Sequence, residues 1–225
     1  MFKGLLIFGA YCVAVAVAAS TSDGSVDIPS CPKTASIAFT TAIPSGTPCP
    51  LTRIDLCYTS TTLNLVFTAY NETNFYYNPD HKTNDDIWAY EAMEAFIAKG
   101  SEDPQTYLEY EVGPNNVTFN AFIYNPSRVR REGAPMDQAF ISDLLGDGFK
   151  AVTRLDKLAG TWTTESQIPL ALFNGEDSAG SVWRMNFFRT ITSASEFPEQ
   201  KLCGWRNTGE ANFHVTPAFG TIRFV

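Results

Sequence analysis

The chain has 225 residues, of which 44% are hydrophobic and 18% charged, with a formal net charge of −8 from 16 Lys+Arg against 24 Asp+Glu. These figures exclude a disordered or collagenous chain, and the acidic balance offers no basic surface to track phosphates, so nucleic acid is not an expected partner. Aromatic residues make up 13% of the chain, led by 17 Phe. That is enough apolar mass for one large core, and all-β domains often reach this length as a single unit.

Residues 1–19 read as a secretory signal peptide: Lys3 charges the start, Leu5 to Ala18 is an apolar run, and Ala16 to Ser20 supplies small residues for cleavage. The run is short for a membrane anchor and no basic cluster follows it. No later stretch is long and apolar enough to span a bilayer, so the protein is expected to be secreted and extracellular, without membrane insertion. Cleavage leaves 15 basic against 24 acidic residues, a net charge of −9, and removes Cys12. Cys31, Cys49, Cys57 and Cys203 remain, an even set that reads as two disulfides with three possible connectivities. No Cys/His spacing suits zinc. Asn71-Glu-Thr and Asn116-Val-Thr are N-glycosylation sequons, whereas proline blocks Asn125-Pro-Ser.

Residues 20–50 are rich in Ser, Thr, Pro and Gly and read as a disulfide-tied lead-in, with a short strand near Ser36 to Ala42, to a domain spanning 51–225. Within that domain, apolar and polar residues alternate with period two over Thr62 to Tyr70, Tyr107 to Val112, Val117 to Tyr124, Phe149 to Leu155, Thr161 to Ile168, Val182 to Thr190 and Gly220 to Val225. Val117, Phe119, Ala121 and Ile123 share the face expected to be buried, with Thr118, Asn120, Phe122 and Tyr124 on a half-buried one. Leu108, Tyr110 and Val112 oppose Tyr107, Glu109 and Glu111 in the same manner. Turn signals at Asn115-Asn116, Asn125-Pro126, Gly146-Asp-Gly148 and Gly175-Glu-Asp separate the runs. The pattern predicts an all-β antiparallel sandwich, of jelly-roll or immunoglobulin-like type, with few short helices. Residues 86–98 and 137–145 are the helix candidates, although Ala92 to Ile97 fits a buried strand equally well. Arg128-Val-Arg-Arg, the one basic run, reads as a solvated loop rather than a processing site.

Catalytic motifs are missing: there is no Gly-x-Ser-x-Gly, no His-Glu-x-x-His and no phosphate-binding glycine loop. The reading is therefore non-catalytic. A glycosidase would need two carboxylates, for which Glu94 with Glu109 or Glu111 are the candidates, but solvated carboxylates are far commoner. Of the four tryptophans, Trp162 and Trp183 lie in alternating strands and read as core. Trp88, after the polar run Asn78 to Asp86, and Trp205, in Cys203-Gly-Trp-Arg-Asn, read as loop-proximal rings of the kind that stack on sugars.

The ordered series Asp86-Ile-Trp-Ala-Tyr-Glu-Ala-Met-Glu-Ala-Phe-Ile, Tyr107-Leu-Glu-Tyr-Glu-Val, Ile168-Pro-Leu, Trp183-Arg-Met-Asn-Phe-Phe-Arg and Asn212-Phe-His-Val-Thr-Pro-Ala-Phe-Gly-Thr-Ile-Arg-Phe resembles the carbohydrate-binding module family 9-like domain, from about Ile54 to the end. The resemblance implies an antiparallel β-sandwich that binds polysaccharide or oligosaccharide, often as an accessory to enzymes degrading plant cell-wall polysaccharide such as cellulose or xylan, and sometimes with structural calcium. It also implies a terminal sugar clamped between two Trp rings, with Trp88 as the first, Glu94 six residues on, and Trp205 as the second. Where the pattern carries a basic donor on the strand Val117 to Tyr124, Asn120 is the polar residue of similar reach. Two stacked rings exclude water, and a carboxylate accepting from vicinal hydroxyls forms charge-assisted hydrogen bonds.

For calcium, Asp80, Asp85 and Asp86 are the candidate oxygen ligands; no other cofactor is expected. The expected partners are glycans and, in polysaccharide breakdown, separately secreted glycoside hydrolases. The rival readings are a haem-binding DOMON-like sandwich for electron transfer, for which Met93, Met136, Met185, His81 and His214 supply the axial residue types, and a glycoside hydrolase acting through Glu94. Arg189 and His214 read as hydrogen-bonded scaffolding.

Overall fold

The computed structural model describes residues 24–174 and 179–225; the expected signal peptide and the turn signal at Gly175-Glu-Asp lie outside the described residues. The strands in chain order are β1 (Val26–Ile28), β2 (Ala35–Thr41), β3 (Pro48–Tyr58), β4 (Thr62–Tyr70), β5 (Ala92–Lys99), β6 (Thr106–Val112), β7 (Thr118–Tyr124), β8 (Asp137–Phe140), β9 (Lys150–Asp156), β10 (Thr161–Pro169), β11 (Val182–Ile191), β12 (Lys201–Gly204) and β13 (Gly220–Phe224). They form two sheets. The larger runs β1-β13-β11-β5-β6-β7-β8, with β12 added to the far part of β11, and the smaller runs β2-β3-β4-β10-β9. Every pairing is antiparallel except β1 with β13. Among the described residues, no helix is long and apolar enough to cross a membrane.

The sandwich core lies between the sheets. Met93, Ala95 and Ile97 of β5, Leu108, Tyr110 and Val112 of β6, and Trp183, Met185 and Phe187 of β11 meet Ile54, Leu56, Leu63, Leu65, Phe67, Trp162 and Ile168 of the smaller sheet. Each large side chain buried here contributes roughly 1.5–3 kcal/mol. Trp162 and Trp183 are both wholly buried, in keeping with their alternating strands.

A second apolar cluster covers the other face of the larger sheet. Phe96 and Ala98 of β5, Tyr107 of β6, Phe119, Ala121 and Ile123 of β7 and Phe188 of β11 pack under Ile43, Ile87 and Phe219 from connecting segments. The central strands are therefore buried on both faces, which corrects the half-buried expectation for Val117 to Tyr124. Asn120 and Phe122 stand opposite Tyr110 and Leu108 and point inward, and Asn120 is fully buried. The apolar Phe119, Ala121 and Ile123 look outward into the loop-covered layer.

Both helix candidates resolve as strand. Only Ile87–Ala89 forms a single 3-10 turn before β5, which lies between β11 and β6; two-sided burial there overrides the helix propensity of its Ala, Met and Glu residues. Asp137–Phe140 instead adds to the free edge of β7 and is followed by turns.

Cys31 pairs with Cys57 and Cys49 with Cys203. The second bridge ties β3 of the smaller sheet to β12 of the larger across 154 residues of sequence, a span for which chain-entropy arguments give about 5 kcal/mol. The 50/51 boundary falls inside β3, and residues 24–50 contribute β1 to one sheet and β2 to the other. Asn71 and Asn116 occupy exposed turns at positive φ, whereas Asn125 is buried and donates from Nδ2 to the His214 carbonyl at 3.1 Å.

Candidate functional site

Glu94 of β5 stands directly opposite Glu111 of β6, and Glu109, two residues away, shares their outward face. The strand pairing thus places three carboxyl groups side by side, with ligand oxygens all within 4.8 Å of one another. Their exposures are 1%, 6% and 0% for Glu94, Glu109 and Glu111. They form the floor of a cavity of about 320 Å³ whose walls include Trp88, Arg130, Gln138, Gln200, Phe119, Phe213 and His214.

Trp88 owes its position to the 3-10 turn. Ile87 drives into the outer apolar cluster and leaves the next side chain facing solvent, where Trp88 is 50% exposed. Gln200 Nε2 donates to the Trp88 carbonyl at 2.7 Å, and Tyr90 stacks on Phe197 with ring centroids 4.9 Å apart, so the Trp88 backbone is tied to the segment that precedes β12.

Burial is the largest influence on all three carboxyl groups. Glu94 lies well above the usual range through burial and then the charge of Glu109, although Thr190 Oγ1 donates to its Oε1 at 3.1 Å. Glu109 is pushed up to about 8 by burial, against the pull of Glu111 and Arg130. Glu111 is also raised well above the usual range, by burial and then by Glu94 and Glu109. Neither oxygen of Glu111 receives a hydrogen bond from any described backbone or neutral group. Its contact with Glu109 is a hydrogen bond only when one of the two carries a proton.

His214 is pushed down to about 3, mainly by burial and then by Arg130. Its Nδ1 is 2.6 Å from the Tyr107 hydroxyl, and its Nε2 is 3.6 Å from Glu109 Oε1. The second separation is within ion-pair range, but burial favours the neutral form of both groups, so we read it as a neutral contact. Both ring nitrogens of His214 thus face protein partners. Of the other haem-ligand candidates, Met93 and Met185 are in the sandwich core, His81 packs edge-on against Tyr90, and Met136 lines the cavity.

The structure brings Trp88 and Glu94 together, with Glu109 and Glu111 beside them, and does not bring Asn120 or Trp205 to the same cavity. Asn120 points to the opposite face of the sheet, where its Nδ2 donates to Thr118 Oγ1 at 3.0 Å and it lines a separate cavity with Tyr110. Trp205 packs inward against Phe187, carries the Arg206 guanidinium on its ring at 4.4 Å, and lies so close to Gly220 that a Cβ there would sit 2.4 Å from the indole. The second and third rings of the cavity are Phe119 and Phe213.

Among the described residues the carboxylates that cluster are those of the three glutamates and not Asp80, Asp85 and Asp86: Asp85 turns back to accept from the Lys82 amide at 2.7 Å, whereas Asp86 lines the Trp88 cavity itself. Sequence reasoning missed Arg130, Gln138, Gln200 and Phe213. The Arg128-Val-Arg-Arg run was the available signal for Arg130, a basic group supplied by a loop rather than by β7. Arg189 lies in the core, where Nη2 donates to Glu72 Oε2 at 2.6 Å.

No family model matches the chain. An extracellular protein of the fungus Arthroderma benhamiae is 52% identical over 214 residues, covering 95% of this chain and 96% of that protein. Among solved structures, a candidate carbohydrate-binding protein from Bacteroides uniformis superposes with a TM-score of 0.64 at 14% identity, covering 89% of this chain and 99% of that one. A family 9 carbohydrate-binding module of Caldicellulosiruptor kristjanssonii, solved with cellotriose, gives 0.58 at 14% identity over 89% of this chain and 93% of that one. One from the same organism, solved with glucose, gives 0.53 at 16% identity over 83% and 82%.

Proposed function

We propose, for a chain that belongs to one family with the Arthroderma benhamiae extracellular protein and has the fold of carbohydrate-binding module family 9, that it is a secreted protein that binds sugar units of plant-type polysaccharide in the Trp88 cavity. The observation that carries the reading is a half-exposed indole standing at the mouth of a cavity floored by convergent carboxyl groups. A pyranose presents an apolar C–H face to Trp88 and its hydroxyls to Glu94, Gln138, Gln200 and Arg130. The wall supplies both donors and acceptors, and the stacking face is flat. The two Caldicellulosiruptor modules were solved with cellotriose and glucose, which favours β-linked glucose units as first ligands to try. In this reading the protein binds glycan ends for glycoside hydrolases secreted separately, and acts without chemistry of its own.

The convergence of Glu94, Glu109 and Glu111 also favours a second reading, a glycoside hydrolase. Against it, a retaining mechanism needs one ionised carboxylate beside one protonated acid, and burial here raises all three groups together.

Calorimetric titration of the protein with glucose, cellobiose, xylobiose and longer oligosaccharides tests the proposal. Heat of binding that disappears in Trp88→Ala is the expected result, with no reducing sugar released from the oligosaccharides. Absence of binding to every sugar overturns it, and reducing-sugar release that disappears in Glu94→Gln would replace it by the hydrolase.

A further inference from the structure

We propose that the floor of the cavity is a divalent-cation site in which Glu94, Glu109 and Glu111 hold a hard, oxygen-seeking ion of the calcium class. Two separate observations support it. The first is spacing: the three ligand oxygens lie within 4.8 Å of one another, and 4.8 Å is about twice a calcium–oxygen bond of roughly 2.3–2.6 Å, so one ion can reach all three with little movement. The second is Glu111, which is 0% exposed, lines the cavity, and receives no hydrogen bond at either oxygen from any described backbone or neutral group. A carboxyl group buried without donors is costly, and its oxygens need either protons or a cation.

The basic residues nearby do not fill that need at Glu111. Among the described residues, Arg130 lines the cavity without forming a salt bridge to the three glutamates, and His214, neutral here, gives its Nδ1 to Tyr107 and turns its Nε2 to Glu109 at 3.6 Å rather than to Glu111. Thr190 satisfies only one oxygen of Glu94. All-oxygen ligation by carboxylates selects calcium, magnesium or manganese over zinc or copper. The rest of the ion's coordination shell faces the open cavity, where water or a pair of vicinal hydroxyls completes it. The cation site stands whether or not a sugar occupies that space.

The test uses the purified protein stripped with a chelator and titrated with terbium(III), excited through tryptophan, since Trp88 lines the same cavity. One terbium ion per chain with sensitised emission, displaced by calcium, is the expected result. Glu111→Gln and Glu94→Gln should each weaken binding about tenfold or more, with the far-ultraviolet circular dichroism unchanged. Asp80→Asn and Asp85→Asn should leave it unaltered. No uptake by the wild type, uptake that persists in both glutamate variants, or uptake lost in the aspartate variants overturns the proposal. Sugar titrations with chelator and with calcium separate this site from the sugar-binding reading. Cation binding without sugar binding keeps the site and removes that reading, whereas sugar binding without terbium uptake does the reverse.

Discussion

The two faces of the larger sheet bury acid in opposite ways. Toward the core, Glu72 meets Arg189, both about 1% exposed, and Arg189 Nη1 also reaches Thr52 Oγ1 and the Tyr70 carbonyl, so that buried charge is paired and hydrogen-bonded. Toward the loops, Glu94, Glu109 and Glu111 are buried just as deeply and, among the described residues, none of them is paired with an Arg or Lys: Thr190 donates to Glu94, a neutral His214 faces Glu109, and Arg130 and Asp86 line the same cavity without a salt bridge to them. A buried pair whose charges are matched is costly mainly when one partner is removed, whereas like groups gathered at the floor of an open cavity destabilise the fold as they stand. Glu91 lies between these cases: one of its oxygens accepts from the Tyr76 amide at 2.8 Å, yet burial and then Glu72 push it up to about 8.

The largest effect expected from breaking this contrast is on the core side. Arg189→Leu strands Glu72 in the interior and should cost about 3–5 kcal/mol in urea unfolding. On the cavity side the effect is read through pH. Glu109 and Glu91 both have folded values near 8 against an ordinary 4.5, so their favourable contribution is complete below about 4.5 and is lost as pH rises toward 8. His214 runs the other way: with its value down at about 3 against 6.5, its contribution is present above 6.5 and lost as pH falls toward 3. Between pH 6.5 and 8 only the carboxyl groups act. Chelated protein should therefore lose stability across that window in denaturant titrations, about 3 kcal/mol from Glu109 and Glu91 together and more from Glu94 and Glu111, which are raised in the same direction. A flat profile would show that the carboxyl groups are ionised and compensated. Glu111→Gln removes one uncompensated acid while keeping its shape, and should stabilise the chelated protein by about 1–2 kcal/mol at pH 8, leaving the Glu91 share of the decline in place.

The sandwich was legible in the sequence because period-two alternation survives wherever one strand face differs from the other, as in Leu108, Tyr110 and Val112 against Tyr107, Glu109 and Glu111. It faded where both faces are buried. Ala92 to Ile97 has no polar face apart from Glu94, so helix and strand could not be told apart until its neighbours in the sheet were known. The site was half legible. Trp88 and Glu94 are near in sequence and one turn fixes their relation, and the like spacing in β6 puts Glu109 and Glu111 on one face. Arg130, Gln200 and Phe213 come from three distant loops brought together only by the folded sandwich, a relation that no local pattern records. Trp205 had the right composition around it, but a glycine at position 220 leaves room for its ring against β13 and draws it inward.

The smallest effect on stability should accompany the largest loss of binding. Trp88 is half exposed and rests on backbone already held by Gln200 and by the Tyr90–Phe197 stack, so Trp88→Ala should change unfolding free energy by no more than about 0.5 kcal/mol. A tryptophan that packs as core would instead cost about 3–5 kcal/mol on truncation, the value to expect from Trp162→Ala. The pair of variants therefore measures the contrast directly: equal losses would move Trp88 into the scaffold. A Trp88→Ala protein as stable as the wild type but unable to retain sugar would mark the ring as the part of the outer face kept for a ligand.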